Sequence, residues 1–146
     1  MRCRIPAALL ESTFAHFRRC GTGVRECQAL WVGPWSDPTQ ISRVIHPLHR
    51  AHTYGFDMDG EWLATFWREL GDRNEGVRVQ VHTHPGPAFH SRTDDAFPII
   101  HSAGFLSLVI PDFAMGPVGF EAAYLTQIDP EGGWSEVAIA NTIKVI

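Results

Sequence analysis

The chain has 146 residues, a length that fits one domain, so we expect residues 1–146 to fold as a single unit. Hydrophobic residues make up 45% of the chain and charged residues 19%, which is enough apolar material for a buried core. A net charge of −4 without a basic run argues against a nucleic-acid surface, and no apolar stretch approaches the roughly 20 residues of a membrane span.

The first part of the chain predicts a helix followed by a buried strand. Apolar residues recur at helical spacing between about Pro6 and Cys20, and Gly21 marks the end of that helix. The apolar run 26–33 then predicts a strand that ends at Gly33-Pro34. The cysteines are odd in number and lack a CxxC spacing: Cys3, Cys20 and Cys27. We expect them to be reduced thiols of a cytoplasmic protein, and neither a disulfide framework nor a second zinc site.

A loosely patterned segment, 35–56, separates this strand from a clear second helix. The segment is predicted to be mostly loop, with one strand near 41–45. Its histidines at spacing three are expected to be solvated rather than to bind a second metal: His46, His49 and His52. The second helix is predicted to be capped by Asp59 and to end at Gly71. Its apolar face is expected in the core: Trp62, Leu63, Phe66, Trp67 and Leu70.

A pair of histidines follows the next predicted strand. Over 77–81, valines alternate with polar residues, which predicts a half-buried strand with one valine face toward the core. His82 and His84 are two residues apart, so they share the opposite face, and Pro85 ends the strand. A short loop then delivers the carboxylate of Asp94. Three such donors leave the fourth tetrahedral position of a zinc ion to water, which is the pattern of a catalytic site.

The last third of the chain predicts a short helix and three strands. The helix is expected from about Asp94 to His101, followed by an apolar strand over 105–110 and a hairpin of 120–128 with 135–145. The order of helices and strands along the chain predicts an α/β fold in which helices flank a mixed sheet.

The stretch His82-Thr83-His84-Pro85, followed by Ser91-Arg92-Thr93-Asp94 and preceded by Glu26, resembles the signature of the JAMM (MPN+) metalloproteases. The resemblance covers nearly the whole chain and implies a JAMM/MPN domain of cytidine-deaminase-like architecture. It also implies a zinc site formed by His82, His84 and Asp94. In the same way, it gives Glu26 the role of catalytic base and acid, and Ser91 that of a hydroxyl donor to the oxyanion.

The chain departs from the family pattern in two respects. The spacing from His84 to Ser91 is one residue shorter than usual, so Asp95 stays open as an alternative to Asp94. The glycines that usually follow the catalytic Glu are replaced by residues 27–29. No long insertion follows Asp94, which resembles the compact prokaryotic subgroup. That subgroup is associated with bacterial operons for ubiquitin-like conjugation, several of them in antiphage defence.

The resemblance implies a zinc isopeptidase or peptidase that cleaves after the C-terminus of a ubiquitin-like protein, either in its precursor or in its conjugates. The expected partners are that C-terminal tail and the conjugates, together with the cognate activating and conjugating enzymes, and neither nucleic acid nor a membrane. The alternative enzyme is a peptidase that processes a sulfur-carrier protein. A non-catalytic MPN scaffold is disfavoured because the motif residues are intact. The sequence leaves the identity of the modifier and the oligomeric state open.

Overall fold

A computed structural model describes residues 3–53, 55–96 and 98–146. In chain order the helices and strands are β1 (Cys3–Ile5), α1 (Ala7–Gly21), β2 (Gln28–Pro34), β3 (Arg43–Ile45), β4 (His49–His52), β5 (Gly55–Met58), α2 (Gly60–Arg73), β6 (Glu75–Thr83), α3 (Arg92–Ala96), β7 (Leu106–Ile110), a 3-10 helix (Asp112–Ala114), β8 (Tyr124–Ile128), β9 (Trp134–Glu136), α4 (Ile139–Thr142) and β10 (Ile143–Val145). Among the described residues, none of the helices has the length and hydropathy that a membrane span requires.

A mixed sheet of six strands lies at the centre of the fold, in the order β3-β2-β6-β7-β8-β9. The central pair of β6 with β7 is parallel, and the other neighbouring strands are antiparallel. Two apolar clusters attach helices to its two faces. The first joins α1 to the sheet through Leu10, Phe14, Phe17, Trp31, Val79 and Val81. The second joins α2 through Phe66, Leu70, Leu30, Val32 and Val77. The predicted fold class, a mixed sheet flanked by helices, is therefore confirmed.

A bulge in β6 places its valines on different faces of the sheet. Trp31 of β2 pairs with Val79, but the next residue, Val32, pairs with Val77, so Arg78 is the extra residue. Val79 consequently packs against α1 and Val77 against α2. The prediction of a single valine face on a half-buried strand is wrong, because helices cover both faces and the alternation changes phase at the bulge.

The second helix is confirmed, with a shifted end. Asp59 caps α2, since its side chain accepts a hydrogen bond from the Trp62 backbone N–H at 2.8 Å. The helix continues past Gly71 and ends at Arg73, and the next residue, Asn74, has a φ of 53° in the left-handed region that commonly closes a helix. Trp67 is 37% exposed, so its predicted place in the core is wrong.

Several short elements differ from the prediction. The segment 35–56 contains β3, β4 and the start of β5, so His49 and His52 lie in a strand, and His46 lies in the connection between β3 and β4. α3 occupies only Arg92–Ala96 instead of reaching His101; Pro98, which lacks a backbone N–H, stands where a longer helix would continue. The predicted strand 135–145 is divided into β9, α4 and β10, and β10 pairs in parallel with β1.

The cysteines also differ from the expected set of reduced thiols. Cys20 in the last turn of α1 and Cys27 before β2 are joined by a disulfide, with their Cα atoms 6.3 Å apart. That Cα separation lies within the range that a disulfide spans. Cys3 is a buried free thiol, and burial raises its pKa to about 12.

Gly33 allows β2 to run close to the chain before β3. A Cβ on Gly33 would lie 1.8 Å from the carbonyl oxygen of Gln40. Overpacking typically costs about 1–3 kcal/mol, and because the neighbour here is backbone, we expect Gly33→Ala to lower the free energy of unfolding by about 3 kcal/mol. Urea unfolding measures the change. Gly60→Ala, whose Cβ meets nothing within 4 Å, is the matched control and should not be destabilised. Equal stability of Gly33→Ala and the parent would contradict this close approach.

Candidate active site

The end of β6 delivers two buried imidazoles to one place. His82 is the second-last residue of the strand, and His84 follows it on the same face. The backbone N–H of His84 donates to the carbonyl of Ile110 at 3.0 Å, which extends the pairing of β6 with β7 beyond the strand. The two histidines are 2% and 4% exposed, and their ring centroids lie 5.2 Å apart. The sheet therefore holds both rings at fixed positions.

Asp94 directs its carboxylate from α3 to both imidazoles. Its Oδ2 lies 3.2 Å from Nε2 of His82 and 3.2 Å from Nε2 of His84. The backbone N–H of Ser91 donates to the same oxygen at 2.8 Å, and the backbone N–H of Asp94 donates to Ser91 Oγ at 3.0 Å. These reciprocal bonds form a capping box at the start of α3. The SxxD spacing therefore both starts the helix and orients the carboxylate.

These three residues form a donor set that fits a metal ion. A ring nitrogen of His82, a ring nitrogen of His84 and a carboxylate oxygen of Asp94 all lie within 4.8 Å of one another. Imidazole nitrogens with a carboxylate oxygen are common ligands of catalytic zinc, which keeps one position open for water. The structure thus brings the three predicted ligands together. The side chain of Asp95, the alternative to Asp94, lies outside the described residues.

Glu26 lies beside this cluster because β2 pairs with β6. The pairing puts Gln28, the first residue of β2, opposite His82, and Glu26 lies two residues before Gln28. Cys27 and Thr83 are joined by two hydrogen bonds, from the Cys27 N–H to Thr83 Oγ1 at 3.0 Å and from the Thr83 N–H to the Cys27 carbonyl at 3.1 Å. Oε1 of Glu26 lies 3.7 Å from Nε2 of His84. The carboxylate is therefore near the predicted ligands without belonging to their donor set.

The surroundings of Glu26 and Asp94 shift the pKa values of the two carboxyl groups in opposite directions. Burial raises the pKa of Glu26 to about 7, an effect that His84 opposes and Asp94 adds to. Such a carboxyl can take up and release a proton near neutral pH. Burial also acts to raise the pKa of Asp94, but hydrogen bonds with His82 and His84 outweigh it and hold that pKa far below its ordinary value. Asp94 therefore stays a carboxylate, the form that binds a metal.

A cleft of about 850 Å³ opens onto these residues. The end of β6 and Glu26 form one side of it, and the β4–β5 hairpin contributes His52 and Asp57 to its lining. These two side chains pair with each other, His52 Nε2 to Asp57 Oδ2, at 2.9 Å. The sequence did not indicate this part of the cleft, because His52 and Asp57 meet only through the pairing of two short strands.

His90 lies close to the cluster but contacts other groups. Its Nε2 is 3.1 Å from Ser107 Oγ, and its ring centroid lies 4.4 Å from that of Trp134. The ring centroids of His90 and His82 are 6.4 Å apart. His90 is therefore a useful control for substitutions of the predicted ligands.

Known proteins resemble this chain in sequence or in fold. A probable metalloprotease of Sinorhizobium fredii is 33% identical over 148 residues, which cover 97% of this chain and 91% of that protein. A protein of Desulfitobacterium hafniense has a solution structure that matches with a TM-score of 0.70 at 18% identity, covering 99% of this chain and 92% of that one. A JAB1/MPN domain protein of Archaeoglobus fulgidus matches with a TM-score of 0.56 at 14% identity, covering 98% of both chains. At these identities the two structures show the fold alone. No protein-family profile matches the chain.

Combined replacement of His82 and His84 by Ala should remove one metal ion per chain, because it deletes two of the three donors. Elemental analysis of the purified proteins measures the difference from the parent. His90→Ala should keep the metal content of the parent. Unchanged content in the double variant would contradict the site, and a loss in Asp95→Ala that is absent in Asp94→Ala would move the third ligand by one residue.

Proposed function

This chain belongs to the MPN/JAMM-like family of metalloproteases, and we propose that it is a zinc-dependent isopeptidase or peptidase that cleaves after the C-terminus of a ubiquitin-like protein. Its similarity to a probable metalloprotease supports metal-dependent peptidase activity in general. The zinc, the isopeptide bond and the ubiquitin-like substrate are our proposal. The observation that carries it is the convergence of three metal donors with the buried carboxyl of Glu26 at one cleft.

The residues around the cleft divide the work of hydrolysis. Zinc, when held by His82, His84 and Asp94, supplies Lewis acidity to the scissile carbonyl and to the attacking water. Glu26 accepts a proton from that water and passes it to the leaving amine, a task that suits a pKa of about 7. Ser91 Oγ accepts a hydrogen bond from the Asp94 N–H, which leaves the hydroxyl hydrogen for donation to the developing oxyanion.

An extended peptide is the substrate shape that this cleft favours. Among the described strands, β5 pairs only with β4, so its outer edge can pair with an added strand. Asp57, on β5, lines the same cleft as the metal donors, so an added strand would lie at that cleft. A flexible C-terminal tail can adopt this extended form. Because no long insertion follows Asp94, we expect selectivity to come from the modifier and its tail.

The setting that we propose is a bacterial cytoplasmic pathway that conjugates a ubiquitin-like protein, of the antiphage-defence kind. The support is the resemblance to compact prokaryotic members, including the short connection after Asp94. In that setting the partners are the modifier, its conjugates and the cognate activating and conjugating enzymes. Gene neighbours distinguish this setting from the processing of a sulfur-carrier protein, whose tail would use the same cleft.

Glu26→Gln should keep the metal and lose turnover by about 10²-fold or more, because the amide preserves the shape of the side chain but cannot accept the proton. Steady-state cleavage of a fusion substrate and elemental analysis measure the two effects. Ser91→Ala should lose less activity and also keep its metal, since it removes one oxyanion donor among several contributors. Near-normal cleavage by Glu26→Gln would assign the proton transfer to another group.

Cleavage should depend on the tail of the modifier more than on the protein that follows it. One panel joins a single ubiquitin-like protein to varied downstream proteins, and a second joins one downstream protein to mutated tails. Mass spectrometry of the products locates the cut, and a chelator supplies the metal-free control. We expect rates to fall in the second panel and to vary little in the first. Indifference to the tail combined with strict dependence on the downstream protein would contradict the proposed substrate.

A further inference from the structure

Four more donor side chains converge at a place that the proposed catalytic cluster does not use. Cys20 lies in the last turn of α1, and Cys27 lies in the segment before β2. His46 follows β3 and His49 begins β4. The two sulfurs and one nitrogen from each histidine all lie within 4.8 Å of one another. Three separate parts of the chain thus contribute sulfur and nitrogen donors to one point.

The distances between sulfur and nitrogen match those around a tetrahedral zinc ion. Cys27 Sγ lies 3.1 Å from His46 Nε2 and 3.4 Å from His49 Nε2, and Cys20 Sγ lies 3.5 Å from His49 Nε2. Zinc binds sulfur at about 2.3 Å and imidazole nitrogen at about 2.0–2.1 Å, which puts neighbouring sulfur and nitrogen ligands about 3.5 Å apart. The observed distances lie near that value.

The surroundings orient both imidazoles for this role. Nδ1 of His49 donates to the carbonyl oxygen of Pro47 at 2.7 Å, since a carbonyl can only accept. In the neutral ring this leaves a lone pair on Nε2, the nitrogen that faces the sulfurs. A backbone carbonyl on the second nitrogen is a common way to orient a metal-binding histidine. The ring of His16 stacks on that of His46, with centroids 5.1 Å apart and an interplanar angle of 17°.

We propose that Cys20, Cys27, His46 and His49 form a second metal site, a structural zinc centre of the reduced chain. Two cysteines with two histidines make a closed tetrahedral set, which leaves no position for a substrate. The sulfurs that the structure joins in a disulfide bind zinc as separate thiolates, so two thiols release two protons when the metal binds. A chain whose pair is already oxidised first takes up two electrons, which a phosphine reductant supplies in the experiment below.

Such a centre bears on the proposed active site through Glu26, the neighbour of Cys27. The backbone N–H of Glu26 donates to the carbonyl of His52 at 2.5 Å, at the far end of β4. The next residue, Cys27, donates a hydrogen bond from its backbone N–H to Oγ1 of Thr83, the neighbour of His82. A metal ion shared by Cys27 and His49 would tie the segment of Glu26 to the start of β4 as well. The second site would therefore stiffen the segment that carries the proposed catalytic carboxyl.

Counting metal ions tests this proposal without any measurement of activity. Protein purified with zinc and a phosphine reductant should hold two zinc ions per chain. Combined replacement of Cys20 and Cys27 by Ser should leave one ion. Combined replacement of His82 and His84 by Ala should also leave one ion. A variant that carries all four replacements should hold none. Cys3→Ser is the matched control, because Cys3 is a free cysteine, and it should keep both ions. A parent with one zinc that the Cys20 and Cys27 replacements leave in place would overturn the second site.

Cobalt reports on the same site in the parent chain, where no substitution can disturb folding. Cobalt(II) bound to thiolates gives a near-ultraviolet charge-transfer band, and the donor set of His82, His84 and Asp94 contains no sulfur. We expect this band in the reduced parent and in the double variant of His82 and His84, and its loss in the double variant of Cys20 and Cys27. Absence of the band from the reduced parent would overturn the second site and leave the proposed peptidase untouched.

Discussion

The antiparallel pairing of β2 with β6 is the contact on which the other parts of the site depend. It sets Gln28 opposite His82 and so brings Glu26, two residues before Gln28, to the end of β6, where both histidines lie. The two hydrogen bonds between Cys27 and Thr83 extend that pairing by one residue on each strand. A slip of one residue in this register would turn the histidines to the other face of the sheet. The bulge at Arg78 lies several residues away, so it changes the packing of the valines without moving the histidines.

Burial makes the ionised forms of Asp94 and Glu26 costly unless hydrogen bonds or opposite charges compensate for the lost water. Taking an ionised carboxylate out of water costs several kcal/mol unless bonds replace its hydration. Asp94 has such bonds from two imidazoles and from the Ser91 N–H. Oε1 of Glu26 lies farther from an imidazole, 3.7 Å from Nε2 of His84, and burial raises the pKa of Glu26 to about 7. One fold therefore maintains a permanent carboxylate beside a carboxyl that exchanges its proton at neutral pH.

The sequence could predict the elements that have long apolar patterns, and with them the fold class. The helix stripe of Phe14 and Phe17 and the strand ahead of His82 are strong signals because each repeats over several turns or pairs. The motif also predicted that His82, His84 and Asp94 lie close together, as they do in the structure. Their chemical roles remain predictions. The bulge at Arg78 could not be predicted, because it depends on which residue of β2 lies opposite.

The parts that the sequence missed arise from contacts between distant short segments. The β4–β5 hairpin has few apolar residues, so its period of two is weak. Cys20 and Cys27 have no recognisable metal spacing, because the histidines that meet them come from beyond β3. The length of α3 was mispredicted because of Pro98. A proline is compatible with the first turn of a helix but also stops a helix, and the sequence does not distinguish the two cases.

The most direct test of the account is anomalous diffraction at the zinc edge from crystals of the reduced protein. The account predicts a peak about 2.0–2.2 Å from Nε2 of His82, Nε2 of His84 and a carboxylate oxygen of Asp94, with the Glu26 carboxylate outside the coordination sphere. A zinc peak that Glu26 ligates directly, or the absence of any peak between His82, His84 and Asp94, would contradict it.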